Sequence, residues 1–203
     1  MSGAQPLSFE PTLPPEEVAR ANFYGLLARL YYAPPDAALL EAIAGADEIE
    51  AEDGGIALAW RDLARAAAAA DPETLAAEYE SAFVGTGKAP ITLYAAAYSI
   101  KYSNEVPLAE LRGELAELGL ARREAVHEPE DHIAALFDVM RLLIAEQKSA
   151  LEVQQRFFTR WIWPTVQPLC AAIDTSSHTA FYKAVARFMK SFLELEHAAF
   201  EML

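Results

Sequence analysis

Apolar residues recur at intervals of three and four along most of this chain, and this periodicity constrains the fold more than any other feature. It is the pattern of helices that bury one face, and the alternation typical of strands is scarce. The stripe of the first predicted helix contains Phe23, Leu26, Leu27, Leu30 and Tyr31, and that of the last contains Phe181, Val185, Phe188, Met189, Phe192 and Leu195. The sequence therefore predicts an all-α, single-domain helical bundle of roughly nine to ten helices.

Proline and glycine mark the predicted helix boundaries. Pro14 and Pro15 open a helix that ends near Tyr32, because proline is accommodated in the first helical turn. Gly54 and Gly55 are predicted to form a turn, and residues 84–93 an ordered loop. A further helix is predicted to begin at Pro129, with its end near or beyond Lys148.

The chain shows no pattern of a targeting or membrane-spanning segment. Residues 1–15 are acidic and proline-rich and have no basic region followed by an apolar one, so we predict a flexible N-terminus there. Residues 16–203 are predicted to form the helical domain. No uncharged apolar run approaches the roughly 20 residues that a bilayer requires. We expect a cytoplasmic protein without stable membrane insertion.

The net charge of −14 restricts the partners. It disfavours binding to nucleic acid or to an anionic membrane, and it attracts a cationic partner. The same net charge is also explained if the acidic residues serve only to keep the protein soluble. The single cysteine, Cys170, excludes an internal disulfide, and its apolar neighbours predict a buried structural thiol.

The run from His127 to His132 is the densest group of ionisable residues next to an apolar stretch. Two interpretations stay open. In the first, Asp131 caps backbone N–H groups and His132 is a satisfied core histidine. In the second, the two side chains form a carboxylate–imidazole pair at a groove, which accepts hydrogen bonds from an arginine or from peptide N–H groups.

Enzymatic readings of the sequence are weaker. His127 and His132 resemble the zinc-protease helix motif, but five residues place them about 140° apart on a helix, and Pro129 lies between them. Residues 84–89 lack the first glycine and the final Ser or Thr of a phosphate loop. The alternative function is a small helical metal- or nucleotide-dependent hydrolase that uses His132 with Glu128 or Asp131.

Aromatic residues suit an apolar peptide groove. Tyr94 and Tyr98 are four residues apart beside the glycine-containing loop, and Trp161 and Trp163 flank a predicted helix boundary. Most of these side chains are expected in the core, and a minority are expected to line a half-wet site.

Several segments, in order along the chain, resemble one protein family. They are residues 79–85, residues 90–98, Leu111-Arg112-Gly113-Glu114 with Leu118-Gly119-Leu120, Glu128-Pro129-x-Asp131-His132, and Phe157-Phe158 with Trp163-Pro164. Across about residues 79–168 the chain resembles the TorD/DmsD-like redox-enzyme maturation chaperones, also called molybdoenzyme assembly chaperones.

That resemblance implies a cytoplasmic, all-helical chaperone that is not an enzyme and holds no cofactor or metal. The implied partner is the catalytic-subunit precursor of a molybdenum enzyme of the dimethyl sulfoxide reductase class. Asp131 and His132 would help to bind its twin-arginine signal peptide, and Glu128 and Pro129 would shape the site. Tyr94 and Tyr98 complete the expected peptide-binding residues. A homodimer formed by helix exchange is a further possibility for such bundles.

Overall fold

A computed structural model describes residues 13–50, 54–99, 105–122, 128–147 and 149–203. The predicted flexible N-terminus lies mostly outside these residues, as does His127. The division of the chain at residue 15 therefore stays a prediction. The first helix begins at Pro15, as the proline pair predicts.

The described residues form ten α-helical segments. They are α1 (Pro15–Tyr32), α2 (Ala37–Ala44), α3 (Gly54–Ala68), α4 (Pro72–Tyr79), α5 (Ala96–Ser99), α6 (Glu105–Glu117), α7 (Ile133–Ala145), α8 (Leu151–Phe157), α9 (Trp163–Thr175) and α10 (Phe181–Phe200). Two π-helical turns, Glu80–Val84 and Phe158–Ile162, extend α4 and join α8 to α9. The described part of the chain thus makes nine continuous helices and no strand, which confirms the predicted all-α fold.

Aromatic side chains fill the centre of the bundle. Helix α1 packs on α7, and α10 packs on α3 and α9. Tyr24, Tyr31 and Tyr182 are fully buried. Tyrosine hydroxyls also join the helices by hydrogen bonds. The Tyr79 hydroxyl donates to the Tyr31 carbonyl at 3.0 Å. The Tyr182 hydroxyl likewise donates to the Leu30 carbonyl at 2.8 Å. These bonds fix α1 relative to α4 and α10.

A buried ion pair links the two ends of the chain. Arg20 of α1 donates through Nε and Nη2 to the two carboxylate oxygens of Glu196 in α10, at 2.7 and 2.8 Å. The Tyr24 hydroxyl also donates to Glu196, at 3.0 Å. Arg20 also donates to the Gln154 side chain at 3.1 Å, and through Nη1 to the two carboxylate oxygens of Glu17 at 2.8 and 2.9 Å. Both partners are therefore satisfied despite their burial.

Two predicted boundaries are wrong. Gly54 and Gly55 are not a turn but the first residues of α3, and neither has a positive φ. The helix predicted from Pro129 begins instead at Ile133, because His132 caps it. Residues 129–132 form a tight turn, in which the His132 N–H donates to the Pro129 carbonyl at 3.1 Å.

Candidate functional site

A short backbone pairing places the candidate site residues together. The Ala95 N–H donates to the Asp131 carbonyl, and the Ile133 N–H donates to the Leu93 carbonyl, both at 2.8 Å. These two bonds form an isolated antiparallel bridge between Tyr94 and His132. The segment that follows the glycine-containing loop is thereby joined to the turn that precedes α7. The structure thus brings the two sequence motifs into direct contact.

Asp131 is used mainly inside the protein. Its side chain is buried, with 8% of the residue exposed. One carboxylate oxygen, Oδ2, accepts the Ala96 N–H at 3.3 Å at the start of α5. Burial raises the pKa of Asp131, although this hydrogen bond opposes the shift. Asp131 therefore accepts a backbone N–H at the start of α5, and not one of the helix that follows it in sequence.

His132 is also buried, with 6% exposed. Its Nδ1 accepts the Ala134 N–H at 3.3 Å and caps α7. Because Nδ1 is an acceptor, a neutral ring carries its proton on Nε2. Burial lowers the pKa of His132, and the negative charge of Glu128 opposes this shift only in part. His132 is accordingly neutral at physiological pH.

The accessible part of the site consists of Glu128 and Tyr94. Tyr94 is 37% exposed, and its hydroxyl donates to the Glu128 carboxylate. Partial burial and this hydrogen bond raise the pKa of Tyr94 to about 12. The Tyr94 ring stands edge-on to the His132 ring, with the centroids 5.4 Å apart. An anionic oxygen and an aromatic ring thus lie side by side at the surface.

Tyr98 and Pro129 shape the surroundings of this pair. The Tyr98 hydroxyl donates to the Thr92 carbonyl at 2.8 Å, which closes the segment before α5 on itself. Burial raises the pKa of Tyr98 to about 12. Pro129 is half-buried at the start of the turn that carries Asp131 and His132. Both residues therefore hold backbone in place.

Glu130 is a site residue that the sequence reasoning missed. It accepts a hydrogen bond from Arg112 Nε at 3.1 Å and pairs with Arg122 Nε at 3.6 Å. Burial raises the pKa of Glu130, but the hydrogen bond from Arg112, a backbone hydrogen bond and the positive charges of Arg112 and Arg122 together outweigh burial, so the pKa is lowered. Arg112 belongs to one family-like segment and Glu130 to another. The opposite charges of these two segments are the sequence signal that could have predicted this ion pair.

A metal site is not assembled within the described residues. There, no group of three or more His, Cys, Asp or Glu side chains is placed to hold a metal ion. Cys170 is buried as predicted, and burial raises the pKa of its thiol to about 12. No helix of the described part has both the length and the apolarity to cross a bilayer.

The protonation of His132 makes a prediction about stability. The pKa of His132 is lower in the folded chain than the usual 6.5, so the unfolded chain takes up a proton first as the pH falls. The stability that neutral His132 contributes is present above about pH 6.5 and is lost below it. In His132→Asn the side-chain oxygen can still cap α7 and does not titrate.

We therefore expect the wild type to lose more unfolding free energy than His132→Asn between pH 7.5 and 5.5. Urea titrations at each pH measure the unfolding free energy of both proteins. The other histidines contribute equally to the two proteins, so their effect cancels in the comparison. Equal losses in the two proteins would show that His132 does not titrate differently in the folded state.

Comparisons with known proteins agree with this architecture. The family model described as nitrate reductase delta subunit matches residues 49–171, which is more than half of the chain. The chain is 28% identical over 139 residues to the chaperone protein TorD of Photobacterium profundum, covering 61% of this chain. It spans 62% of the length of that relative.

A solved structure shows the same fold. It is the crystal structure of a candidate redox enzyme maturation protein from Archaeoglobus fulgidus, with a TM-score of 0.54 and 21% identity. The match covers 94% of this chain and 99% of that one. The described helices thus form the same kind of bundle as that maturation protein. The chain belongs to the nitrate reductase delta subunit family, which includes the TorD-like redox-enzyme maturation chaperones.

Proposed function

We propose that this protein is a cytoplasmic, client-specific chaperone for a molybdenum-cofactor oxidoreductase of the dimethyl sulfoxide reductase class. It binds the twin-arginine signal peptide of the catalytic-subunit precursor, or an equivalent N-terminal segment. Release follows once the cofactor has been inserted into the client. The homodimer stays a prediction alongside this function.

The observation that carries the proposal is the half-buried Glu128 carboxylate, hydrogen-bonded to the hydroxyl of the exposed Tyr94 ring. A guanidinium group forms its strongest hydrogen bonds with carboxylates, and an aromatic face accommodates apolar side chains or the guanidinium plane. The net charge of −14 attracts a cationic peptide from a distance. A peptide with two arginines followed by an apolar stretch fits these features.

The expected peptide-binding residues take two kinds of role in this proposal. Glu128 and Tyr94 contact the peptide. Asp131 and His132 position them, because their side chains cap α5 and α7 and hold the paired segments together. Pro129 supports the turn in the same way. Loss of Asp131 or His132 is expected to weaken binding through displacement of Glu128 and Tyr94.

The hydrolase alternative is not supported by the geometry. The Nδ1 atom of His132 accepts the Ala134 N–H, and Oδ2 of Asp131 accepts the Ala96 N–H. The two side chains are thus engaged with separate helices rather than with each other. A base that activates a nucleophile would need a free ring nitrogen aimed at that nucleophile.

Co-purification from the native cell tests the proposed client. We expect affinity-tagged protein to retain a molybdenum-enzyme precursor that still carries its signal peptide, identified by mass spectrometry. A truncated precursor without the N-terminal segment provides the control and is expected to be lost. Retention of a stoichiometric metal or nucleotide and no precursor would contradict the proposal.

A further inference from the structure

The geometry points to Glu130 as a second receptor for a client guanidinium, whose place in the unbound protein is occupied by the chain's own Arg112 and Arg122. This inference rests on the proposed function and adds a residue and a regulation to the same site. Glu128 would receive one arginine of the peptide and Glu130 the other. The internal arginines would be displaced when the peptide binds.

Glu130 already holds two guanidinium groups. Arg112 approaches Oε2 with both Nε, at 3.1 Å, and Nη2, at 3.0 Å. Arg122 approaches the other oxygen, Oε1, with Nε at 3.6 Å. Each carboxylate oxygen therefore faces a different arginine. The contacts of Glu130 with Arg112 and Arg122 are thus of the kind that a peptide with two arginines would make.

The burial of the three side chains favours exchange. The Glu130 side chain is 12% exposed, whereas those of Arg112 and Arg122 are 54% and 39% exposed. The carboxylate is thus set into the protein, and the guanidinium groups lie on its solvent side. Each guanidinium group that leaves Glu130 is replaced by another, so the carboxylate stays paired and the exchange costs the fold little.

Arg122 connects the Glu130 carboxylate with the backbone of Glu128. Besides its pairing with Glu130, its Nη1 donates to the Glu128 backbone carbonyl at 3.4 Å. Arg112 lies on α6, while Glu128 and Glu130 belong to the stretch before α7. The internal arginines therefore bridge α6 to the peptide site. A peptide that displaces them also loosens this bridge.

Arg112 and Arg122 would compete with the peptide for Glu130, and this competition would lower the affinity for peptides that carry only one arginine. A peptide with one arginine gains one carboxylate, and it gains the second only by replacing a contact that the chain already makes. A peptide with two adjacent arginines satisfies both. The arrangement thus selects against single-arginine peptides.

The test uses the full chain and a synthetic peptide with two consecutive arginines followed by an apolar stretch. We expect Arg112→Gln to tighten the dissociation constant about two- to fivefold, which corresponds to removal of one exposed competing ion pair. Glu130→Gln is expected to weaken it about tenfold or more. Arg65→Gln is the matched control, because Arg65 forms an exposed pair with Asp62 at 3.3 Å on α3.

Each outcome decides one claim. Unchanged or weaker binding by Arg112→Gln, with wild-type binding intact, would overturn this inference and leave the proposed function standing. If the wild type does not bind, the double variant Arg112→Gln/Arg122→Gln decides. Binding by that variant supports internal competition, and its absence overturns both this inference and peptide binding at this site. Arg112 is mostly exposed, so its variant is expected to fold.

Discussion

Replacing Glu196 by alanine is expected to destabilise the fold by about 1–3 kcal/mol, the usual cost of leaving a buried hydrogen-bonding group without its partner. The Glu196 side chain is 6% exposed, and it accepts bonds from two nitrogens of Arg20 and from the Tyr24 hydroxyl. Without it, the buried Tyr24 hydroxyl loses its acceptor, whereas Arg20 keeps Glu17 and Gln154 as partners. Urea unfolding followed by circular dichroism measures the change in unfolding free energy.

Glu194→Ala provides the matched control on the same helix. Glu194 is about half exposed and pairs with Lys190 at 3.8 Å. Its loss is expected to change the unfolding free energy by less than about 0.5 kcal/mol. Similar effects at both positions would contradict the claim that the Arg20–Glu196 pair joins α1 to α10 in the core.

Glu128→Gln is expected to weaken binding of the twin-arginine peptide by about tenfold to a hundredfold. Glutamine keeps the shape of the side chain but removes the negative charge, and a hydrogen bond to a charged group contributes about 1.5–3 kcal/mol. Isothermal titration at fixed salt measures the dissociation constant. Thermal unfolding of the variant checks that the fold is intact.

Tyr94→Phe separates the carboxylate from the ring in the same experiment. It removes the hydroxyl that donates to Glu128 and keeps the aromatic face. We expect binding to stay equal or to become slightly tighter, because the carboxylate is then free for the ligand. A loss as large as that of Glu128→Gln would show that the tyrosine hydroxyl, rather than the carboxylate, makes the main contact.

Local signals were sufficient for most helices. The stripe of α1 and the proline pair before it define a helix whose observed bounds, Pro15–Tyr32, match the prediction. Gly119 ends α6 with a positive φ of 71°, a conformation that glycine adopts without strain. The mistake at Gly54 has a simple cause. Glycine is tolerated in the first turn of a helix, and the residue alone does not distinguish that position from a turn.

The candidate site was less predictable because its contacts are distant in sequence. Asp131 caps α5, which lies 35 residues earlier, and no local pattern encodes that bond. The capping of α7 by His132 replaced the start expected at Pro129. Glu130 drew no attention because its partner Arg112 belongs to another helix. Motif spacing singled out the segment, and only the fold shows that Asp131 is buried whereas Glu128 is partly exposed.

Titration of the wild-type protein with the twin-arginine peptide, and with the same peptide carrying two lysines, tests the central claim most directly. We expect the arginine peptide to bind at least about tenfold more tightly, because the guanidinium fork matches a carboxylate and an ammonium group does not. Equal affinity for both peptides would show that the protein binds them by general charge attraction and does not recognise the guanidinium group. No binding of either peptide, by the wild type and by Arg112→Gln/Arg122→Gln alike, would contradict a signal-peptide site at Glu128 and Tyr94.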